Sequence, residues 1–160
     1  MVILLMGVAG SGKTTVGKTL AAELGWEFAD GDDFHSPENV AKMHAGIALS
    51  DEDREPWLAS LAKAIHEWIA ARRNVVLACS ALKETYRARL LISSEVKVVY
   101  LRGEYELIRR RLAQRREHYM NPELLRSQFD ALEEPRNAVM VDVTQSPEQI
   151  SRSIRHALGI

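Results

Sequence analysis

Apolar residues gather in five short runs: Val2–Met6, Trp26–Ala29, Val75–Cys79, Val96–Leu101 and Ala138–Asp142. None alternates cleanly with polar residues, which suits strands covered on both faces, as in a parallel sheet. Helix-length stretches lie between and after them, near 13–24, 51–72, 83–92, 104–116 and 147–158. Strand, helix, strand repeated in this way predicts right-handed crossovers and an open α/β sheet. Helix starts are signalled separately. Ser146-Pro147-Glu148-Gln149 carries a cap residue, a proline at the first helical position and Gln at the third. Ser36-Pro37 and Asn121-Pro122 repeat the cap-then-proline signal, and Ser50 with Asp53 fits a capping box. The acids of Asp51-Glu52-Asp53 are therefore assigned first to a helix start. No repeat or linker divides the chain, so a single domain over residues 1–160 is expected.

Composition narrows the class. At 46% hydrophobic and 27% charged, the 160 residues are those of an ordinary soluble protein, which excludes a disordered or low-complexity chain. Twenty-one Lys+Arg against twenty-two Asp+Glu leave a formal charge of −1, so no basic field points to a nucleic-acid partner. The single cysteine cannot form an internal disulfide. The apolar start stops at Gly7, too short for a signal peptide, and no run approaches the roughly 18 residues of a membrane span. A cytoplasmic protein with neither a membrane nor a nucleic-acid partner is expected. Yet the balance hides two local excesses. Residues 30–38 carry Asp30, Asp32, Asp33 and Glu38 with no Lys or Arg, and residues 109–116 carry Arg109, Arg110, Arg111, Arg115 and Arg116 with no acid.

One motif carries strong chemistry. Gly7-Val8-Ala9-Gly10-Ser11-Gly12-Lys13-Thr14 matches G-x-x-x-x-G-K-[ST] in full, follows a predicted strand and opens a predicted helix. Glycines let successive backbone N–H groups face a phosphate, and the helix that follows aims its positive end at the same anion. Lys13 can reach the β- and γ-phosphates and the Thr14 hydroxyl can ligate Mg²⁺; Thr15 extends the nucleotide-binding segment. A dinucleotide fingerprint is disfavoured by the glycine order. A guanine-reading switch is disfavoured by the lack of an Asn-Lys-x-Asp tetrapeptide. Asp30-Gly31-Asp32-Asp33-Phe34-His35 follows the second strand, where loops at strand ends converge on the ligand crevice. Its carboxylates suit Mg²⁺ or a hydroxyl that must lose a proton, although Asx-turn chemistry accounts for the same spacing. The five histidines lack the pairing of a zinc site, Cys79 reads as a buried small residue, and Trp57 and Trp68 read as core.

These blocks, with Asn39 to Met43, Asp51-Glu52-Asp53-Arg54, Pro56-Trp57-Leu58, Cys79-Ser80-Ala81-Leu82-Lys83, Tyr86-Arg87, His118-Tyr119-Met120, Ser127-Gln128-Phe129 and Leu132-Glu133-Glu134-Pro135, resemble the gluconate kinase family in order along nearly the whole chain. The resemblance implies ATP-dependent phosphorylation of D-gluconate at its 6-hydroxyl. It also implies a P-loop fold with a parallel sheet of order 2-3-1-4-5 and a helical lid over roughly 109–121. Under this reading Asp32 receives or orients the acceptor proton and Asp30 makes a water-mediated Mg²⁺ contact, with the two roles exchangeable. Arg54 and Arg87 are candidates for the gluconate carboxylate or the developing phosphate. His35 and Asn39 are placed near hydroxyls, and Ser80 and Ala81 offer loop polar groups. Arg111 and Arg115, four apart on one helix face, are the favoured nucleotide contacts of the lid. A homodimer is compatible, since dimers occur among such kinases. Two other readings stand beside this one: another small-molecule P-loop kinase such as a shikimate kinase, and a nucleotide-binding module with little catalysis.

Overall fold

Every side chain of the first strand, β1 (Val2–Met6), is buried, and its two faces meet different partners. The computed structural model describes residues 1–115 and 121–160. In it Val2, Leu4 and Met6 join Trp57, Leu61, Ile65, Trp68 and Leu90 in one core layer. Ile3 and Leu5 join Val16, Leu20, Ile108, Leu112, Ile150 and Ile154 in the other. Side chains alternate faces along a strand, so only a strand covered on both sides reads as an unbroken apolar run.

The chain continues through α1 (Lys13–Leu24), β2 (Glu27–Asp30), a 3₁₀ turn over Gly31–Phe34, α2 (Pro37–His44) and α3 (Asp51–Ala70). It then forms β3 (Val75–Ala78), α4 (Glu84–Leu90), β4 (Val96–Arg102), α5 (Tyr105–Ala113), α6 (Pro122–Ala131), β5 (Val139–Asp142) and α7 (Pro147–Leu158). The strands pair in parallel in the order β2-β3-β1-β4-β5, the order expected from the sequence, with Leu4 of β1 in register with Leu77 and Val98. All strand C-termini therefore open on one edge, where their loops can share a ligand.

The predicted strands are all present, with ends displaced by a residue at β2, β3, β4 and β5. Helices α2 and α6 are additional to the five helix-length stretches, although their cap-proline signals were readable. Both are short, and the buried residue of each is Asn39 in α2 and Leu125 in α6. Both capping boxes form: Asp53 N donates to Ser50 Oγ (3.1 Å) and Ser50 N to Asp53 Oδ2 (3.0 Å), with the equivalent pair at Ser146 and Gln149. Asp53 also binds Lys42 Nζ at 2.8 Å, and these bonds hold its carboxyl down at about 2. Its role is structural, as the capping pattern implied. Cys79, Trp57 and Trp68 are buried.

Candidate active site

The loop between β1 and α1 is held from three sides. Gly10 takes φ +79°, and a Cβ there would lie 2.7 Å from Leu112 Cγ, so only glycine fits. Gly7 N donates to Ser80 O (3.3 Å) in the loop after β3, and Ala9 N donates to Gln128 Oε1 (2.7 Å) on α6. The N-terminus of α1 has no side-chain cap, which leaves its first amides for an anion. Lys13 Nζ donates to the carbonyls of Gly7 and Val8, each at 2.9 Å. Burial pulls its pKa below the ordinary lysine value, while Asp32 and Asp30 oppose that pull.

The acidic turn rests directly on β3. A Cβ on buried Gly31 would lie 2.9 Å from Ala78 O and 3.2 Å from Cys79 Cβ, so backbone meets backbone with no room to yield. Trp57 Nε1 donates to Gly31 O at 2.7 Å and pins the turn from α3. Gly31→Ala is therefore expected to cost about 1–3 kcal/mol, read as a lower urea midpoint, and to depress turnover by displacing the aspartates. An unchanged midpoint with unchanged turnover would contradict this packing. One oxygen of Asp30 accepts from Asp32 N (2.9 Å), so the Asx-turn role is real and occupies one of the two carboxylate oxygens. The protein crowding Asp32 raises its pKa, the like charge of Asp30 raises it further, and Lys13 pulls it back.

These loops enclose a cleft of about 470 Å³ at the strand C-termini. Gly10, Gly12, Lys13, Thr14 and Thr15 line it together with Asp30 and Asp32 of the acidic turn and with His35, Arg54 and Ser80. Arg54 donates to Leu49 O, lies over the Tyr86 ring at 5.4 Å, and makes no ion pair among the described residues. Arg115 also reaches the cleft. A wider, open groove of 810 Å³ lies elsewhere, lined by Leu91, Ile92, Lys97 and Arg136, and none of the phosphate-loop residues belongs to it.

Three predicted contacts are placed differently. Arg87 is buried, and its guanidinium donates to Ala81 O (2.8 Å), Leu82 O (3.0 Å) and Glu133 O (2.7 Å). Ala81 has φ +43°, so Arg87 braces a strained loop behind the cleft rather than lining it. Asn39 is buried, with its amide donating to Asp53 O (2.7 Å). Arg111 Nη2 donates to Val143 O (2.6 Å), whereas Arg109 pairs with Glu106. The expected pairing of Arg111 with Arg115 toward nucleotide is not seen, because the carbonyl after β5 takes the Arg111 guanidinium. Of the expected lid, residues 116–120, with Arg116 and His118-Tyr119-Met120, lie outside the described residues. Conversely, Trp57 and Gln128 line the cleft without having been singled out as ligands. The polar N–H and amide of these two were the only signal, and neither has a diagnostic spacing.

A family model described as shikimate kinase matches residues 9–158. The probable gluconokinase of Mus musculus is 46% identical across 98% of this chain and 97% of its own length. The thermosensitive gluconokinase of Escherichia coli is 41% identical across 97% and 86%. The chain belongs to the gluconokinase family. A solved gluconokinase from Sinorhizobium meliloti superposes with a TM-score of 0.88 at 41% identity, covering 98% of this chain and 90% of that one. A shikimate kinase from Bacteroides thetaiotaomicron, at 21% identity and a TM-score of 0.72, shares the fold alone. Within the gluconokinase family frame, the shikimate kinase match reports the common P-loop architecture.

Proposed function

We propose that this chain transfers the γ-phosphoryl group of ATP to the 6-hydroxyl of D-gluconate. The observation that carries the reading is the convergence of Lys13, Asp32, His35 and Arg54 on one cleft, in a member of the gluconokinase family. Loop amides and Lys13 hold the triphosphate, and the cation of Arg54 faces the oxygen-rich anionic acceptor. Asp32 accepts the proton of the acceptor hydroxyl, and the hydroxyl oxygen bonds to the γ-phosphorus as the bond from that phosphorus to the bridging oxygen of the departing ADP breaks. Asp30, committed to its turn by one oxygen, keeps a second oxygen for other work.

Mg²⁺, when bound with the nucleotide, neutralises charge on the phosphates. The Thr14 hydroxyl and the free oxygen of Asp30 line the cleft and are hard oxygen donors, which fits that ion. Among the described residues no cluster of three His, Cys, Asp or Glu forms an all-protein cage.

No described helix is long and apolar enough to cross a membrane. The same reading places the enzyme in the cytoplasm, where ATP and free sugar acids meet. It leaves a homodimer to be read by light scattering.

ADP release measured with gluconate, with shikimate and with no acceptor tests the reading. Strong stimulation by gluconate alone is expected. Equal rates in all three would indicate a nucleotide-binding module, and stimulation by shikimate a different acceptor class.

A further inference from the structure

Asn39 has a partner that settles the orientation of its amide. Asp53 O can only accept, so the atom 2.7 Å from it must be the Nδ2 amino group. That same amino group lies 3.3 Å from His35 Nδ1 and has one hydrogen left to give. Nδ1 must then accept, and a neutral imidazole accepting at Nδ1 carries its proton on Nε2.

The ring is fixed in plane as well as in tautomer. It stacks on Trp57 with centroids 4.3 Å apart and planes at 12°. Trp57 is itself buried and tied through Nε1 to Gly31 O, inside the acidic turn. Among the described residues nothing takes up Nε2, and His35 lines the cleft. Burial holds the imidazolium form down, to about 4, and the charge of Arg54 adds to that effect. The ring is therefore neutral at physiological pH.

Resting on the acceptor assigned above, we propose that His35 is a fixed-tautomer donor whose Nε2–H binds an oxygen of the sugar acid, with Asn39 as the positioning residue that sets the tautomer. A neutral ring so arranged can donate at Nε2 but cannot accept there, so it selects a hydroxyl or carboxylate lone pair at that point. Arg54, which lines the same cleft, supplies the positive charge that the neutral ring does not. The phosphate loop takes no part, so the effect belongs to the acceptor and not to ATP.

The test begins with the intact wild-type protein. Long-range ¹⁵N–¹H NMR of ¹⁵N-histidine-labelled enzyme at neutral pH is expected to show His35 as the neutral Nε2–H tautomer. His35→Phe keeps the ring on Trp57 and removes the donor; the gluconate KM is expected to rise about 10-fold, more than any change in kcat, with the ATP KM unchanged. Asn39→Asp removes the hydrogen offered to Nδ1, and is expected to move the NMR signature to an Nδ1-protonated ring while raising the gluconate KM. An Nδ1–H tautomer in the wild type, or an unchanged gluconate KM in His35→Phe, would overturn the inference even if Asn39→Asp fails to fold. A wild type with no gluconate-dependent turnover would instead overturn the acceptor assignment on which the inference rests.

Discussion

Asp32→Asn is expected to lower turnover with gluconate by about 10²–10⁴-fold, the usual range for loss of a positioned general base. Asparagine preserves the shape of the 3₁₀ turn, because the turn is closed by Asp32 N on Asp30 and by Trp57 on Gly31, not by the Asp32 side chain. Thermal stability should therefore change little, while the chemistry loses its proton acceptor. The pH profile separates this role from a purely structural one. A base must be ionised to work, and the crowding around Asp32, with the charge of Asp30, raises its pKa. Activity should then fall on the acid side at a pH above the ordinary carboxylate range of about 4. That acid limb should vanish from the residual activity of the variant. Turnover within threefold of wild type would mean that Asp32 is not the base, and the exchange of roles with Asp30 would become the reading to test.

Lys13→Met is the second large effect. Methionine keeps an unbranched apolar stem of similar reach, so the half-buried position stays filled while the charge disappears. In the structure Lys13 rests on the carbonyls of Gly7 and Val8, and nucleotide must draw it from these neutral acceptors to the phosphates. That exchange is favourable because a phosphate bears charge and a carbonyl does not. A kcat lower by about 10²–10³-fold is expected, the scale of removing one preorganised stabiliser of transition-state charge. ATP binding by calorimetry should weaken in parallel, and the melting temperature should hold. A variant with wild-type kcat would remove the phosphate loop from the chemistry.

The sheet was legible because its strands are covered on both faces. β1 could be read as an unbroken apolar run, and the alternation of Leu4 and Leu5 between two core layers accounts for it. The caps at Ser50 and Ser146 were legible because capping is a local bargain between side chain and backbone a few residues apart. What could not be read is what depends on contacts distant in sequence. Arg87 and Glu133 are separated by 46 residues, and Arg111 and Val143 by 32, yet these contacts decide where each guanidinium goes. An arginine in a promising loop satisfies carbonyls as readily as it binds a ligand, and residue type does not distinguish the two. Asn39 shows the same limit, since its partner Asp53 is supplied by the start of a different helix. Gln128 is the converse case: a polar residue of α6 that meets the phosphate loop across 119 residues of chain.

The overall charge of −1 therefore conceals an acidic turn that faces the phosphate loop directly and an arginine segment with divided duties. Arg115 reaches the cleft, Arg111 ties α5 to the end of β5, and Arg109 pairs along its own helix. In the proposed reaction the working electrostatics belong to Lys13, Asp30, Asp32 and Arg54, which no count of charges would isolate.

The most direct measurement is the identity of the product. Enzyme incubated with ATP and [6-¹³C]gluconate, and followed by ³¹P and ¹³C NMR, should yield one new phosphate monoester with ³¹P–¹³C coupling at C6, formed in step with ADP. Phosphate on another oxygen, or ADP accumulating with inorganic phosphate and untouched gluconate, would contradict the account.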